Sequence, residues 1–136
     1  MSGGLMLRHR LEITLDADPF WLSPLRATVT DLAIRVDLDV DAVADLTLAV
    51  DEACALLIRE ARPDDRLAAR FDITTDRVAI TVSLAGRRRP GRTVATTSFA
   101  WRVLRTLADD VRLTVEDDDA PVTIELAKSR IRPGAY

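Results

Sequence analysis

One stretch constrains this chain more than any other: DLDVDAVADLTLAVDEACALLIREA, the 25 residues from Asp37 to Ala61. Val43, Leu46, Val50, Ala53, Leu57 and Ala61 recur within it at three- and four-residue steps or their sums. On a 3.6-residue period these positions form one apolar stripe down a single long helix. Such a stripe has to be buried against a second layer, so the rest of the chain must supply a surface to receive it. Asp39 or Asp41 is placed to cap the helix start, and the other Asp residues nearby suit the positive end of its dipole. Pro63 is expected to end it.

The receiving layer reads as a sheet. Arg8–Leu15 (RHRLEITL) alternates polar and apolar residues, as a strand with one buried face does. Arg66–Leu84 (RLAARFDITTDRVAITVSL) reads as two strands about a turn near Thr75–Arg77. VRLTV and PVTIELA make two more, separated by the acidic turn EDDDA. Two further helices complete the pattern. In the first, Leu22, Leu25, Val29, Leu32 and Val36 form the stripe, with Ser23–Pro24 at its regular start. In the last, capped by Thr97 or Ser98, Trp101, Leu104, Ala108 and Val111 share a side. The order is strand, helix, helix, strand, strand, helix, strand, strand. It predicts a single α+β domain over 1–136 (core about 8–128, then a short flexible tail), with about three helices on one face of a mixed, mostly antiparallel sheet.

Composition narrows the function. The 136 residues carry a net charge of −3, which disfavours direct nucleic-acid binding. No apolar run approaches the roughly 20 residues that span a bilayer, and MSGGLMLRHR lacks the apolar core of a signal peptide. With a single Cys and no internal disulfide, a cytoplasmic protein is expected. One His and one Cys cannot make a metal site. Cys54 reads as a small core residue, His9 as a surface residue, and Trp21 and Trp101 as core anchors, Trp21 partly exposed. The run Arg87, Arg88, Arg89 and Arg92 is a solvated loop or a contact for phosphate or an acidic partner.

Three stretches resemble the anti-sigma factors of the GHKL, or Bergerat-fold, ATPase superfamily, most of all the mycobacterial anti-sigma-F type. LTLAVDEACALLIREA is similar to the family's second-helix motif, which usually reads like AVSEACTNAVRHA. SFAWRVLRTLADDVRL resembles its last helix and following strand, and VTIELAKSR its closing strand. The likeness runs from about Leu11 to Lys128. It implies the Bergerat sandwich and, in active members, ATP and Mg²⁺, phosphorylation of a serine on an anti-anti-sigma protein, and retention of a sigma factor away from RNA polymerase.

Residue by residue, the resemblance places Glu52 at the family's general base. Glu52 equally fits a side chain turned to solvent or paired with an Arg. Leu56 stands where an Asn oxygen would ligate Mg²⁺, which a hydrocarbon cannot do. Glu60 replaces a His. Leu84 stands at the adenine-accepting Asp, Gly86 persists from the adenine motif, and Arg88 replaces its second Gly. Ser98 and Ala100 occupy the Gly pair that lets backbone N–H groups approach phosphates. These changes argue for a degenerate nucleotide site with the kinase chemistry lost, Glu52 being vestigial and ATP and Mg²⁺ doubtful ligands. The expected function is sequestration of an alternative, stress-type sigma factor, relieved by an anti-anti-sigma factor, with Arg26 of the first helix as an exposed sigma contact. A homodimer paired through the first strand is expected too. Two other readings stand beside it: an active serine kinase using Glu52, and a regulatory module whose target is not a sigma factor.

Overall fold

The striped stretch folds as helix α2 (Val40–Ile58) in the computed structural model, which describes residues 8–85, 99–114 and 122–130. Asp39 is the cap: its carboxylate accepts the Ala42 N–H at 2.7 Å, while Asp41 lies in the first turn. Leu46, Val50, Ala53 and Leu57 are buried as the stripe requires; Val43 and Ala61 are half-buried against the core. The helix stops earlier than Pro63. Its exit tightens, with Glu60 N–H donating to the Leu57 carbonyl and Ala61 N–H to that of Ile58, both three-residue steps. The buried Asp65 carboxylate then accepts the Arg62 N–H at 2.8 Å and closes the turn.

Helix α1 (Leu22–Arg35) follows a 3-10 turn at Pro19–Trp21, whose start is capped by Asp18 accepting the Phe20 N–H. Pro24 therefore sits inside the first turn, where a missing N–H costs nothing. Leu22, Leu25, Val29 and Val36 are buried, but Ala33 is buried where Leu32 is only half so. The helix ends on Asp37, with φ of 61°. Leu38 N–H donates to the Ala33 carbonyl and Asp37 N–H to that of Ile34. This is a Schellman ending with Asp in the usual Gly place and Leu38 tucked into the core.

The sheet holds β1 (His9–Asp16), β2 (Arg66–Ile73), β3 (Arg77–Ala85), β4 (Asp110–Thr114) and β5 (Val122–Ser129), in the order β1-β2-β3-β5-β4. All four described pairings are antiparallel; the parallel component the sequence left room for is not among them. Val111, expected on the last helix, belongs to β4 opposite Leu126, because α3 (Phe99–Leu107) has already ended. The register stacks Leu11, Phe71, Ile80, Leu126 and Val111 across the sheet on the face under the helices, with Ile13, Ala69, Val82, Ile124 and Leu113 as the next row. α2 packs on β3, β5 and α3, and α1 packs on α2. Lys128 ties these layers together at one edge: its ammonium donates to the Leu107 carbonyl at 2.9 Å and lies 3.7 Å from Asp45 and 3.8 Å from Asp109.

Candidate functional site

α2 carries two kinds of residue at its midpoint. One set faces inward. Leu56 is 7% exposed and Leu84, at the end of β3, is 4% exposed. Leu84 is in register with Leu67 of β2 and Val122 of β5, both buried, so it completes an apolar row. Neither side chain carries an oxygen or nitrogen. A divalent cation needs oxygen ligands, and an adenine amino group needs an acceptor. These two side chains offer no polar ligand to a metal ion or a nucleotide base. Among the described residues, no group of three His, Cys, Asp or Glu side chains could hold a metal.

Cys54 lies in the same apolar interior and is fully buried. Burial, assisted by the negative charge of Asp51, pushes its thiol up to about 12. It is therefore a neutral, inert thiol at ordinary pH, which opposes a redox role and agrees with the core reading.

The second set faces out. Glu52 is half-buried and makes no hydrogen bond or ion pair among the described residues. Its neighbour Asp51 reaches across to α1, where its Oδ1 accepts from Arg26 Nε at 2.9 Å. One turn further along, Thr30 of α1 and Thr47 of α2 lie 3.4 Å apart. Thr47 gives its own proton to the Val43 carbonyl, so Thr30 is the donor in that contact. Arg26 is exposed, as expected, but it is engaged by a residue that sequence reasoning missed. Two helices that fold back antiparallel place residues of constant summed number opposite each other; Thr30 with Thr47 and Arg26 with Asp51 both satisfy it. That relation was the available signal.

Ala100 is half-buried in the first turn of α3. Gly86, Ser98, Arg87, Arg88, Arg89, Arg92 and the Thr97 or Ser98 cap fall outside the described residues. Trp101 is buried in the core, but Trp21, expected as a partly exposed core anchor, lies outside the core cluster and is exposed, its ring edge-on to that of Phe20 at 5.0 Å. His9 is exposed.

The face of the sheet away from the helices is polar. Asp72 accepts from Arg10 Nε at 2.8 Å and from Arg70 Nε at 3.1 Å. Burial pushes the Asp72 carboxyl up, but the bond and charge of Arg10, joined by Arg70, outweigh it and hold the group below its ordinary value. Arg77 pairs with Asp110 at 2.7 Å and Arg112 with Glu125 at 3.7 Å. Arg70, Asp72, Arg77, Asp110, Arg112 and Glu125 line a shallow depression of about 340 Å³ together with Ala79 and Ala127.

Residues 15–128 match the family model described as a histidine kinase-like ATPase domain. The chain is 46% identical, over 100 residues, to the anti-sigma-F factor RsbW of Mycobacterium tuberculosis; the match covers 74% of this chain and 58% of that protein. The chain thus spans less than two thirds of that relative's length. It is 29% identical over 79 residues to the serine-protein kinase RsbW of Bacillus subtilis, covering 56% of this chain and 49% of that one. A solved structure of the RsbU and RsbW domains of Rv1364c from Mycobacterium tuberculosis superposes with a TM-score of 0.70 at 18% identity, over 92% of this chain and 33% of that one. At that identity the likeness speaks for the fold.

Proposed function

The chain belongs to the histidine kinase-like ATPase domain family, and from that premise we propose that it is an anti-sigma factor that works by sequestration, with the nucleotide chemistry of its fold lost. The observation that carries this reading is the contrast between the inner and outer sides of α2 and the elements packed against it. Where a nucleotide would need polar ligands, Leu56 and Leu84 are buried hydrocarbon. On the outward side, Arg26 presents an exposed guanidinium anchored to the same helix. The similarity to an anti-sigma-F factor supports a sigma factor as the partner. In this reading a carboxylate on the sigma factor meets Arg26, and an anti-anti-sigma protein releases the complex by competing for an overlapping surface. A planar fork with several donors suits that carboxylate better than an ammonium would.

β1 is an edge of the sheet, which supports the proposed pairing of two copies through that strand. The half-buried Glu52 and the Bacillus relative's kinase name favour one second reading, an active serine kinase.

A single reconstitution separates these readings. The purified chain is mixed with candidate sigma and anti-anti-sigma proteins, with and without Mg·ATP. A stable sigma complex indifferent to ATP is expected. Rapid serine phosphorylation, abolished by Glu52→Ala, would overturn the loss of kinase chemistry. Arg26→Glu should weaken sigma binding by about tenfold or more, since it sets like charges against each other.

A further inference from the structure

Resting on the assignment of Arg26 as a sigma contact, we infer that Asp51 is its positioning residue: the α2 carboxylate takes the Nε end of the guanidinium and holds the Nη edge outward for the partner's carboxylate. Arg26 carries five N–H donors in a fixed plane. The Asp51 bond uses Nε, at 2.9 Å to Oδ1. Among the described residues neither Nη group has a partner. The four remaining donors lie at the end of a side chain that is still 47% exposed. An acceptor at Nε therefore leaves the end-on Nη fork, the edge that can bind a carboxylate bidentately.

Position matters as much as charge. A free Arg side chain loses much rotamer freedom when it is captured, and that loss opposes binding. Asp51 removes part of it beforehand. Its own carboxylate is anchored, 31% exposed, on the middle of a helix whose opposite side is in the core. The Thr30–Thr47 contact one turn along fixes the register of α1 against α2, so the two partners stay level. Asp51 immediately precedes Glu52 on α2. Sigma contact and nucleotide-site helix are thereby joined by one ion pair.

Affinity for each purified alternative sigma factor of the source genome tests the assignment, measured for wild type, Asp51→Ala, Asp51→Asn, Arg26→Ala and Arg26→Ala combined with Asp51→Ala. Asp51→Ala should weaken binding about fivefold, and the loss should vanish in the Arg26→Ala background. Asp51→Asn should stay near wild type, because its side-chain oxygen still accepts from Nε. Tighter binding by Asp51→Ala would identify a competitor for Arg26, and an equal loss in both backgrounds a merely structural role; either overturns the inference. The second readout needs no partner. In the free protein the Arg26 Nε–H proton should exchange slowly and become fast in Asp51→Ala; equal exchange in the two would overturn the inference. Wild-type protein that binds none of the sigma factors sinks the sigma reading instead, while the exchange measurement still judges the Arg26–Asp51 geometry.

Discussion

The two faces of the sheet use the same strands for opposite ends. Arg70 and Phe71 are consecutive, as are Ile80 and Thr81 and also Glu125 and Leu126. Phe71, Ile80 and Leu126 meet in one row beneath the helices, all buried. Arg70, Thr81 and Glu125 meet in the adjoining row on the other face, flanked by Glu12 and Arg112. The row alternates acid and base around a central Thr. Apolar burial contributes about 25 cal/mol per Å², whereas exposed ion pairs contribute little. Stability is therefore concentrated on one face. The open face carries charge with little effect on the stability of the fold. The proposed partner-binding residues lie on neither face but at the outer rim of the α1–α2 pair, where a rigid buried side backs an exposed one.

Phe71→Ala breaks this contrast most severely. It removes the largest fully buried side chain from the middle of the covered row, and about 3–5 kcal/mol of stability should go with it. In a domain whose whole stability is on the order of 5–15 kcal/mol, urea denaturation should show a midpoint moved far down or a chain already unfolded. An unchanged midpoint would mean that the core does not sit where the two rows place it. Arg70→Ala, one residue away on the open face, is the control and should move it little.

Cys54 extends the contrast into alkaline solution. The unfolded thiol ionises near 9.0, while burial pushes the folded one up to about 12. Between those values the unfolded chain binds fewer protons than the folded one. Stability from this group is complete below pH 9 and is lost as pH rises toward 12. The slope is about 1.4 kcal/mol per pH unit. Denaturation of wild type and Cys54→Ala across that window isolates it: the two curves should converge as pH rises. Parallel curves would place the thiol in water, and rapid native-state alkylation would say the same.

The covered face was legible in the sequence and the open rim was not, for a physical reason. Periodicity reports burial, so the stripe of Leu46, Val50, Ala53 and Leu57 and the alternation of the strands could be read directly. Contacts that cross from one element to another leave no periodic trace. Asp51 meets Arg26 across 25 positions, and β5 inserts between β3 and β4 although β4 precedes it in the chain. Element ends were the next weakest. Pro63 marks where a helix cannot continue, yet the chain leaves α2 after Ile58: the Glu60 and Ala61 N–H groups turn to carbonyls three residues back, and the Asp65 carboxylate then takes the Arg62 N–H. Leu56 and Leu84 show the reverse case. The resemblance singled them out, and their burial, which pattern alone could not give for single residues, comes from the structure.

The smallest effect is expected on the open face. Asp72 accepts from both Arg10 and Arg70, and these bonds hold its carboxyl below the ordinary range despite partial burial. A group depressed on folding contributes stability that is present above its unfolded value and is lost as pH falls through the folded one. Asp72→Asn should therefore cost a little at neutral pH and nothing in strong acid, where both forms are uncharged. Most of the difference should disappear in high salt, because the Arg10 guanidinium is open to solvent and screened. Chemical denaturation of the two proteins at neutral and acid pH, each with and without salt, reads all of this. A loss as large as that of Phe71→Ala, or one that salt does not reduce, would mean that the open face is buried in the working assembly, and the contrast between the two faces would then belong to the monomer alone.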